Sequence, residues 1–519
     1  MKMDGFTFKA KAPDGKVIEH SVPGVENGIV GVITNHSWLD NPTFRGMRQS
    51  LMRSFQQIYV LDLHGNTKKK EHTPDGSKDE NVFDIEQGVA ISLLIKCPGI
   101  ERGVWRGDLW GKRLEKYRVL AGSALKDMEL TEVEPSSDLY LFSREDVALR
   151  REYDPNWKLT DMYPINVLGF QSHRDGFAFG FSKVELKDRI SRFLSSRAGD
   201  KELADAFFTP PASETEEARQ KRIQAVSALR ERIRKVENFE ADLTKTSYFS
   251  FDDRWCFYNA AAVDRPRKEL LQHVYGRDNI CLNVVRQTKQ RDWRHALVSV
   301  LPTTPLFIET KDGSYVFPIS LYEKNRDEND AGKQRFENLS PEFRKFMDSH
   351  YEHHYTPEEI LGYVYAVLHA TSYRTRYAEF LRIDFPRIPF PESKAEFDAL
   401  SKLGWALVQA HLLRKLPRTG LAAYHGKGEH EVEAVRYDRK DEALWINKTQ
   451  CFEPVPQAVW DFQIGGYQVL DKYLKSRKGR TLELDEINHV AAVADALAFT
   501  IEQMAKIDQA YRATFPERG

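Results

Sequence analysis

The densest set of side chains suited to gripping a polyanion lies at residues 286–295 (RQTKQRDWRH). There Arg286, Lys289, Arg291, Arg294 and His295 surround Trp293, and only Asp292 opposes them. Such cations hold phosphates by charge, and an arginine can also donate two parallel hydrogen bonds to guanine O6 and N7. The same segment reads as well as an exposed basic loop packed by its tryptophan. A second run, Arg254, Arg265, Arg267 and Lys268, offers similar chemistry, with Asp252, Asp253 and Asp264 at hand for ordinary surface pairs. Gln171, His173 and Arg174, in GFQSHRDGF, can present polar groups to base edges from a loop. Arg374 and Arg376, in YRTRY, stand at or just after the end of a well-capped helix, where arginines also satisfy terminal carbonyls and complement the helix dipole. Asn35, His36 and Ser37 follow the first apolar strand, the kind of strand end at which α/β sheets bind ligands.

The sequence contains no Gly-x-x-x-x-Gly-Lys-Ser/Thr loop, no His-Glu-x-x-His and no Gly-x-Ser-x-Gly, which removes the commonest signals of a nucleotide hydrolase, a zinc protease and an esterase. Cys97, Cys256, Cys281 and Cys451 form no Cys-x-x-Cys pair, so neither a zinc knuckle nor a disulfide framework is expected, and no metal is assigned. Residues 1–28 carry no secretory-type apolar stretch and no run could cross a bilayer, so a cytoplasmic protein without a membrane role is expected. With 76 basic against 77 acidic residues the net charge is −1, and any nucleic-acid surface must be local.

The elements that must position these groups follow an N-terminal extension, 1–27, in which Pro13-Asp14-Gly15 marks a turn. Region 28–129 shows an α/β rhythm: strands at 28–34, 58–63 and 89–96, a helix from Pro42 to Phe55 with Phe44, Met47 and Leu51 at helical spacing, and a charged helix over 111–120. Residues 65–79, with Lys68-Lys69-Lys70, read as an exposed loop. Three strands make only half a covered sheet, so the other half is expected from another chain or from sequence ahead of Met1. Region 130–338 is mixed α/β. In it Ser213 and Glu216, after Pro210 and Pro211, form a capping box for a helix with Ile223, Val226, Leu229, Ile233 and Val236 on one face. Region 339–519 is mainly helical. Thr356-Pro357-Glu358-Glu359 starts one helix, Ser393 and Glu396 repeat the device after the breaks at Pro386 and Pro389, and Ile487, Val490, Ala494, Leu497, Ile501 and Met504 form the seam of the last.

Residues 28–66 (GIVGVITNHSWLDNPTFRGMRQSLMRSFQQIYVLDLHGN), 82–96 (VFDIEQGVAISLLIK) and 108–120 (DLWGKRLEKYRVL) resemble the later strands of the methyltransferase domain in type ISP restriction-modification enzymes. Residues 251–274, 356–390 and 452–482 resemble the carboxy-terminal specificity domain of the same enzymes, and the resemblance runs collinearly from about Gly28 to Asp508. It implies a partial methyltransferase (Rossmann-like) sheet followed by an α+β target-recognition region with a mainly helical C-terminal part. The implied function is recognition of double-stranded DNA within an S-adenosylmethionine-dependent adenine-N6 DNA methyltransferase of a restriction-modification or phage-defence system. Arg286, Lys289, Arg291, Trp293, Arg294, Arg254, Arg265, Arg267, Gln171, Arg174, Arg374 and Arg376 then become DNA contacts, and Asn35 and Ser37 the edge of the methyl-donor or target-base site.

Adenine-N6 transfer needs an Asn/Asp-Pro-Pro-aromatic loop whose ring stacks on the flipped base. Asp40-Asn41-Pro42-Thr43 has one proline and no ring at its fourth position, so Pro42 is read instead as the first residue of a helix. No catalytic residue is assigned, and the chain is expected to need an N-terminal methyltransferase half that supplies the catalytic motifs and the main S-adenosylmethionine site. The alternative is a non-catalytic structural or interaction subunit, or a decayed remnant, of a defence complex.

Overall fold

A computed structural model of the chain describes residues 6–11, 17–22, 26–67, 71–135, 140–142, 147–208, 213–290, 292–323 and 335–516. The turn expected at Pro13-Asp14-Gly15, the lysines at 68–70, Pro210, Pro211 and Arg291 lie outside the described residues. The chain forms two compact units, Met1–Pro155 and Asn156–Gly519.

In the first unit β1 (Phe6–Lys11) and β2 (Val17–Val22) pair as an antiparallel hairpin. A five-stranded sheet follows, made of β3 (Gly28–Asn35), β4 (Gln57–Asp62), β5 (Val89–Lys96), β6 (Gly103–Asp108) and β7 (Thr131–Val133) in the order β3-β5-β4-β6-β7. Strand β5 runs antiparallel to both β3 and β4, and β4 is parallel to β6, so the carboxyl ends of β3, β4 and β6 emerge along one edge. The expected three strands are thus five. In GVWRGD two glycines, an arginine and an aspartate interrupt the apolar run, and a three-residue strand is too short to show alternation.

One sheet face packs Ile58, Val60, Ala90, Leu94 and Val104 against Trp38, Leu39 and Phe55. The other leaves Ile29 and Ile33 of edge strand β3 exposed at 69% and 54%. Helix α1 (Arg45–Ser54) starts three residues later than expected because Pro42–Phe44 forms a 3-10 turn. Its buried side chain is Arg48, not Met47: the guanidinium donates to the Trp38 and Asn41 carbonyls at 2.5 and 2.9 Å, and burial draws its pKa down to about 10. The supposed exposed loop also folds inward in part. Gly65, Asn66 and Asp79 are buried, and Asp79 pairs at 2.7 Å with Lys116 of α2 (Arg113–Gly122).

The second unit mixes small antiparallel sheets with a helical layer. Strand Cys281–Val285 lies between Ala296–Ser299 and Ser314–Pro318, with Val167–Leu168 beyond, while Asp252–Phe257 lies between Phe179–Gly180 and Leu243–Phe249. Helix Glu216–Arg234 buries Val226, Leu229 and Ile233 as its spacing predicts, but its cap is Thr215, whose hydroxyl accepts from the Ala218 N–H at 3.2 Å, rather than Ser213. Thr356 and Glu359 form the expected capping box on helix Pro357–His369. Ser393 sits at the N-cap of Lys394–His411 without its side-chain hydrogen bond, so the device is not repeated there. These two helices touch where Gly362 faces Gly404; a Cβ on Gly404 would collide with the Gly362 carbonyl oxygen. Within the part expected to be mainly helical lies a four-stranded sheet of Ala423–Gly426, Gln450–Glu453, Ala443–Trp445 and Arg436–Asp438. Strands of three or four residues carry too few side chains to declare a period of two.

Candidate nucleic-acid interface

In the second unit, two basic segments far apart in sequence meet. The exposed Arg286 follows strand Cys281–Val285 and pairs with Asp384 at 3.3 Å, the Thr288 N–H donates to the Arg382 carbonyl at 3.0 Å, and the Arg374 guanidinium lies 5.8 Å from the Trp293 ring centre. Arg374 also donates to the Leu368 carbonyl in the last turn of helix Pro357–His369, the end-capping role its position suggests. Trp293 is only 2% exposed and its indole N–H makes no hydrogen bond, so the ring anchors the loop and is no platform for a base. Beneath it His295 pairs with Glu309 at 3.3 Å. Burial pushes Glu309 up, but the hydrogen bonds from His295 and the Lys311 N–H outweigh it and hold the carboxyl below its usual range. Lys289 is exposed, Arg294 pairs with Asp292 at 3.2 Å, and Arg376 is half-buried.

A second pair of segments also converges. Gln171 and Arg265 exchange backbone hydrogen bonds at 3.1 and 3.0 Å. Arg174 pairs with Asp264 at 2.8 Å and donates to the Ala262 carbonyl at 2.6 Å, while His173 sits 3.1 Å from the same aspartate. The Gln171 Oε1 is buried without a hydrogen-bond partner, and Arg267 caps the short helix Lys268–Leu271 in a left-handed conformation, φ 52°. Arg254 belongs elsewhere, on strand Asp252–Phe257 against Asp252 at 2.7 Å.

Sequence reasoning missed the partners of Asp252. That fully buried carboxylate also binds Arg477 at 2.9 Å; Arg477 binds Glu486 at 2.8 Å, and Arg480 reaches Glu486 at 3.2 Å. Burial works against the charge on Arg477, yet Asp252, Tyr473 and Glu486 hold its pKa above the ordinary value. The available signal was the basic run at 475–480 (KSRKGR).

The carboxyl edge of the first unit's sheet gathers a separate polar cluster. Asn35 ends β3 and accepts from the Ser37 N–H at 2.7 Å, capping the 3-10 turn His36–Trp38. His36 Nδ1 lies 2.9 Å from Asp62, Arg106 donates to Asp62 at 2.8 Å and to Asp108 at 3.0 Å, and His64 Nε2 lies 3.0 Å from Asp108. The His64 ring stacks on Trp110 with centres 3.3 Å apart. Burial alone would lift Asp62, but the hydrogen bond from His36 and the charges of His64, His36 and Arg106 hold it at about 2. A cleft of about 490 Å³ opens beside the cluster, lined by Asp40, His64, Arg106, Asp108, Trp110 and Glu129. The ligand atoms of His36, Asp62 and His64 lie within 4.8 Å of one another, as a metal site requires. Arg106 supplies a positive charge at Asp62, and the Asn66 amide lies 3.3 Å from His36 Nε2, so side-chain hydrogen-bond partners already face these atoms.

The Type ISP C-terminal specificity domain matches residues 161–506, more than half of the chain. The chain belongs to that family. No curated protein matches the sequence. Among solved structures, a nuclease-deletion mutant of the Type ISP restriction-modification enzyme LlaGI is similar with a TM-score of 0.63 and 18% identity, over 93% of this chain and 39% of that one. The ATP-dependent Type ISP enzyme LlaBIII gives 0.66 and 20% over 95% and 33%, and DrdV gives 0.65 and 19% over 95% and 51%. The likeness extends through both units and establishes the fold; the chain spans about half or less of each of these relatives. The family match covers both basic segment pairs and the Asp252 hub of the specificity domain.

Proposed function

We propose that the chain recognises a duplex DNA sequence within a restriction-modification enzyme, and that its first unit contributes strands to an S-adenosylmethionine-dependent adenine-N6 methyltransferase. The observation that carries this reading is the specificity-domain match over residues 161–506, which spans the converging segments around Arg286, Arg294 and Arg374 and around Gln171 and Arg265. The similar LlaGI structure is a complex with a DNA substrate mimic, and those of LlaBIII and DrdV are bound to DNA. Arg286, Lys289, Arg291 and Arg294 supply charge to phosphates, Trp293 and Arg374 brace the loop that carries them, and Gln171, Arg174, Arg265 and Arg267 form a second contact. Arg254 and Arg376 add to the positive surface. In the first unit Asn35 and Ser37 edge the methyl-donor or target-base site at the strand ends, the place where α/β sheets bind ligands. The 519 residues include no Asn/Asp-Pro-Pro-aromatic loop, so methyl transfer requires an N-terminal methyltransferase half.

The test is binding of the chain to duplex DNA across a salt series. Affinity should fall steeply with salt, and Arg286→Ala, Arg291→Ala and Arg294→Ala together should flatten the logarithmic slope by roughly two to three, about 0.9 for each phosphate no longer neutralised. With radiolabelled S-adenosylmethionine the chain alone should incorporate no label and should do so with the amino-terminal half of a matching enzyme; label from the lone chain, surviving repurification, overturns the second half of the proposal. Arg286 and Arg294 already face carboxylates, which favours a second reading, a non-catalytic interaction subunit of a defence complex. Salt-independent behaviour toward DNA selects that reading.

A further inference from the structure

The specificity domain carries another cation cluster around the Asp252 hub. Lys472 lies on helix Val469–Lys475 with its ammonium 4.1 Å from the Phe249 ring centre and 5.6 Å from that of Tyr467. Among the described residues no carboxylate pairs with it: Asp471 binds Lys475 at 2.9 Å, and Asp252 is held by Arg254 and Arg477. The Arg254 guanidinium stacks 4.3 Å from Tyr248 and 4.6 Å from Phe181, and Arg480 stacks 3.8 Å from Phe181. Three cations, Arg254, Arg477 and Arg480, thus share two carboxylates, Asp252 and Glu486, and Lys472 adds a fourth charge along the same wall of aromatic rings. Burial and the neighbouring Arg254 both lower the Lys472 pKa, so the free chain holds this charge at a cost. An anion with several acceptor oxygens laid over the rings removes that cost, and the π faces keep the cations pointed at it.

We propose that Lys472, Arg254 and Arg480 form a clamp for the phosphates of duplex DNA, gripping the backbone in addition to the loop at 286–294. The clamp rests on the reading of the chain as a duplex-DNA binder and adds a contact to it. Arg254 commits its Nε edge to Asp252 and keeps only its outer Nη edge for an anion, and Lys472 is a point charge that matches any phosphate oxygen equally well. The clamp therefore positions DNA and does not read sequence.

The experiment measures duplex binding across a salt series for the full chain and for the Lys472→Met and Arg480→Gln variant carrying both changes. The clamp predicts that the slope of log affinity against log salt falls by roughly 1.8, the share of two phosphates, and that affinity drops by the same factor for every DNA sequence tried. Lys472→Arg, which keeps the charge, should retain the parent slope and guards against a folding effect, and Lys345→Gln on the exposed side of helix Pro341–Tyr351 should change nothing. A parent slope in the double variant overturns the clamp, as does a loss confined to one DNA sequence or a Lys472→Arg variant whose slope falls as far as that of the double variant. If the parent chain shows no salt-dependent binding to duplex DNA, the clamp and the reading it rests on fall together; if it binds and the double variant keeps its slope, only the clamp falls.

Discussion

Replacing Lys116 by methionine isolates the buried ion pair that ties α2 to the sheet of the first unit. The ammonium is wholly buried 2.7 Å from an equally buried Asp79, and it donates to the Leu63 and Glu80 carbonyls at 2.7 Å each. Asp79 in turn accepts from the Gly65 N–H at 2.6 Å and the Gly111 N–H at 2.8 Å, so one pair pins both ends of the segment between β4 and α2. Methionine keeps the apolar stem but leaves a buried carboxylate without its counter-charge and two carbonyls without their donor. Removing one partner of such a pair costs about 3–5 kcal/mol. For a unit of this size that is roughly 10 °C in its unfolding midpoint. Hydrogen exchange on peptides covering β4 and β5 reads the loss separately from the second unit. Changing Asp79 to asparagine in the same chain should recover part of it, because no lone charge then remains buried. A loss below about 1 kcal/mol for Lys116→Met refutes the reasoning.

Asp62 sits at about 2 when folded, below its unfolded value of about 3.9, so its contribution of about 3 kcal/mol is complete above about pH 5 and is lost as pH falls toward 2; Asp62→Asn should flatten that acid limb in the first unit. His411 is drawn down to about 3 by burial and by Arg374, while Thr500 donates to the Ala496 carbonyl and so leaves its oxygen to accept from His411 Nε2 at 2.8 Å. That neutral histidine stabilises the helical layer above its unfolded value of about 6.5, with the contribution lost as pH drops from there toward 3, and His411→Gln should reduce the slope of thermal midpoint against pH in that window. Gly404→Ala should cost about 1–3 kcal/mol in urea unfolding, because its methyl would meet the Gly362 carbonyl across two packed helices; an unchanged midpoint would show that the helices can part.

Much of the fold is legible in the sequence where local chemistry decides. Strands at 89–96 and 28–35, the Thr356-Pro357-Glu358-Glu359 helix start and the apolar seam from Ile487 to Leu497 all declare themselves through period and capping. Strand β6 does not, because glycines and charges interrupt it, and neither does the four-stranded sheet at 423–453, whose strands are too short. The basic segments are visible as composition, but their fate depends on long-range partners. Asp384 lies about a hundred positions from Arg286, and Arg477 reaches Asp252 from a separation of 225 residues. Trp293 reads in sequence as one of a group of DNA-facing side chains, yet the need to bury a large ring turns it inward. The cluster of His36, Asp62, Arg106 and His64 escapes a reading of the sequence because it assembles only when β3, β4 and β6 bring their carboxyl ends to one edge of the sheet.

The measurement closest to the central claim is selection of bound duplexes from a pool of random sequence by the purified chain, followed by sequencing of what is retained. A target-recognition role predicts that one short motif is enriched over successive rounds and that a single mismatch in it weakens binding by roughly 1–3 kcal/mol. A retained pool with the composition of the input, at salt concentrations where binding is still measurable, would contradict it.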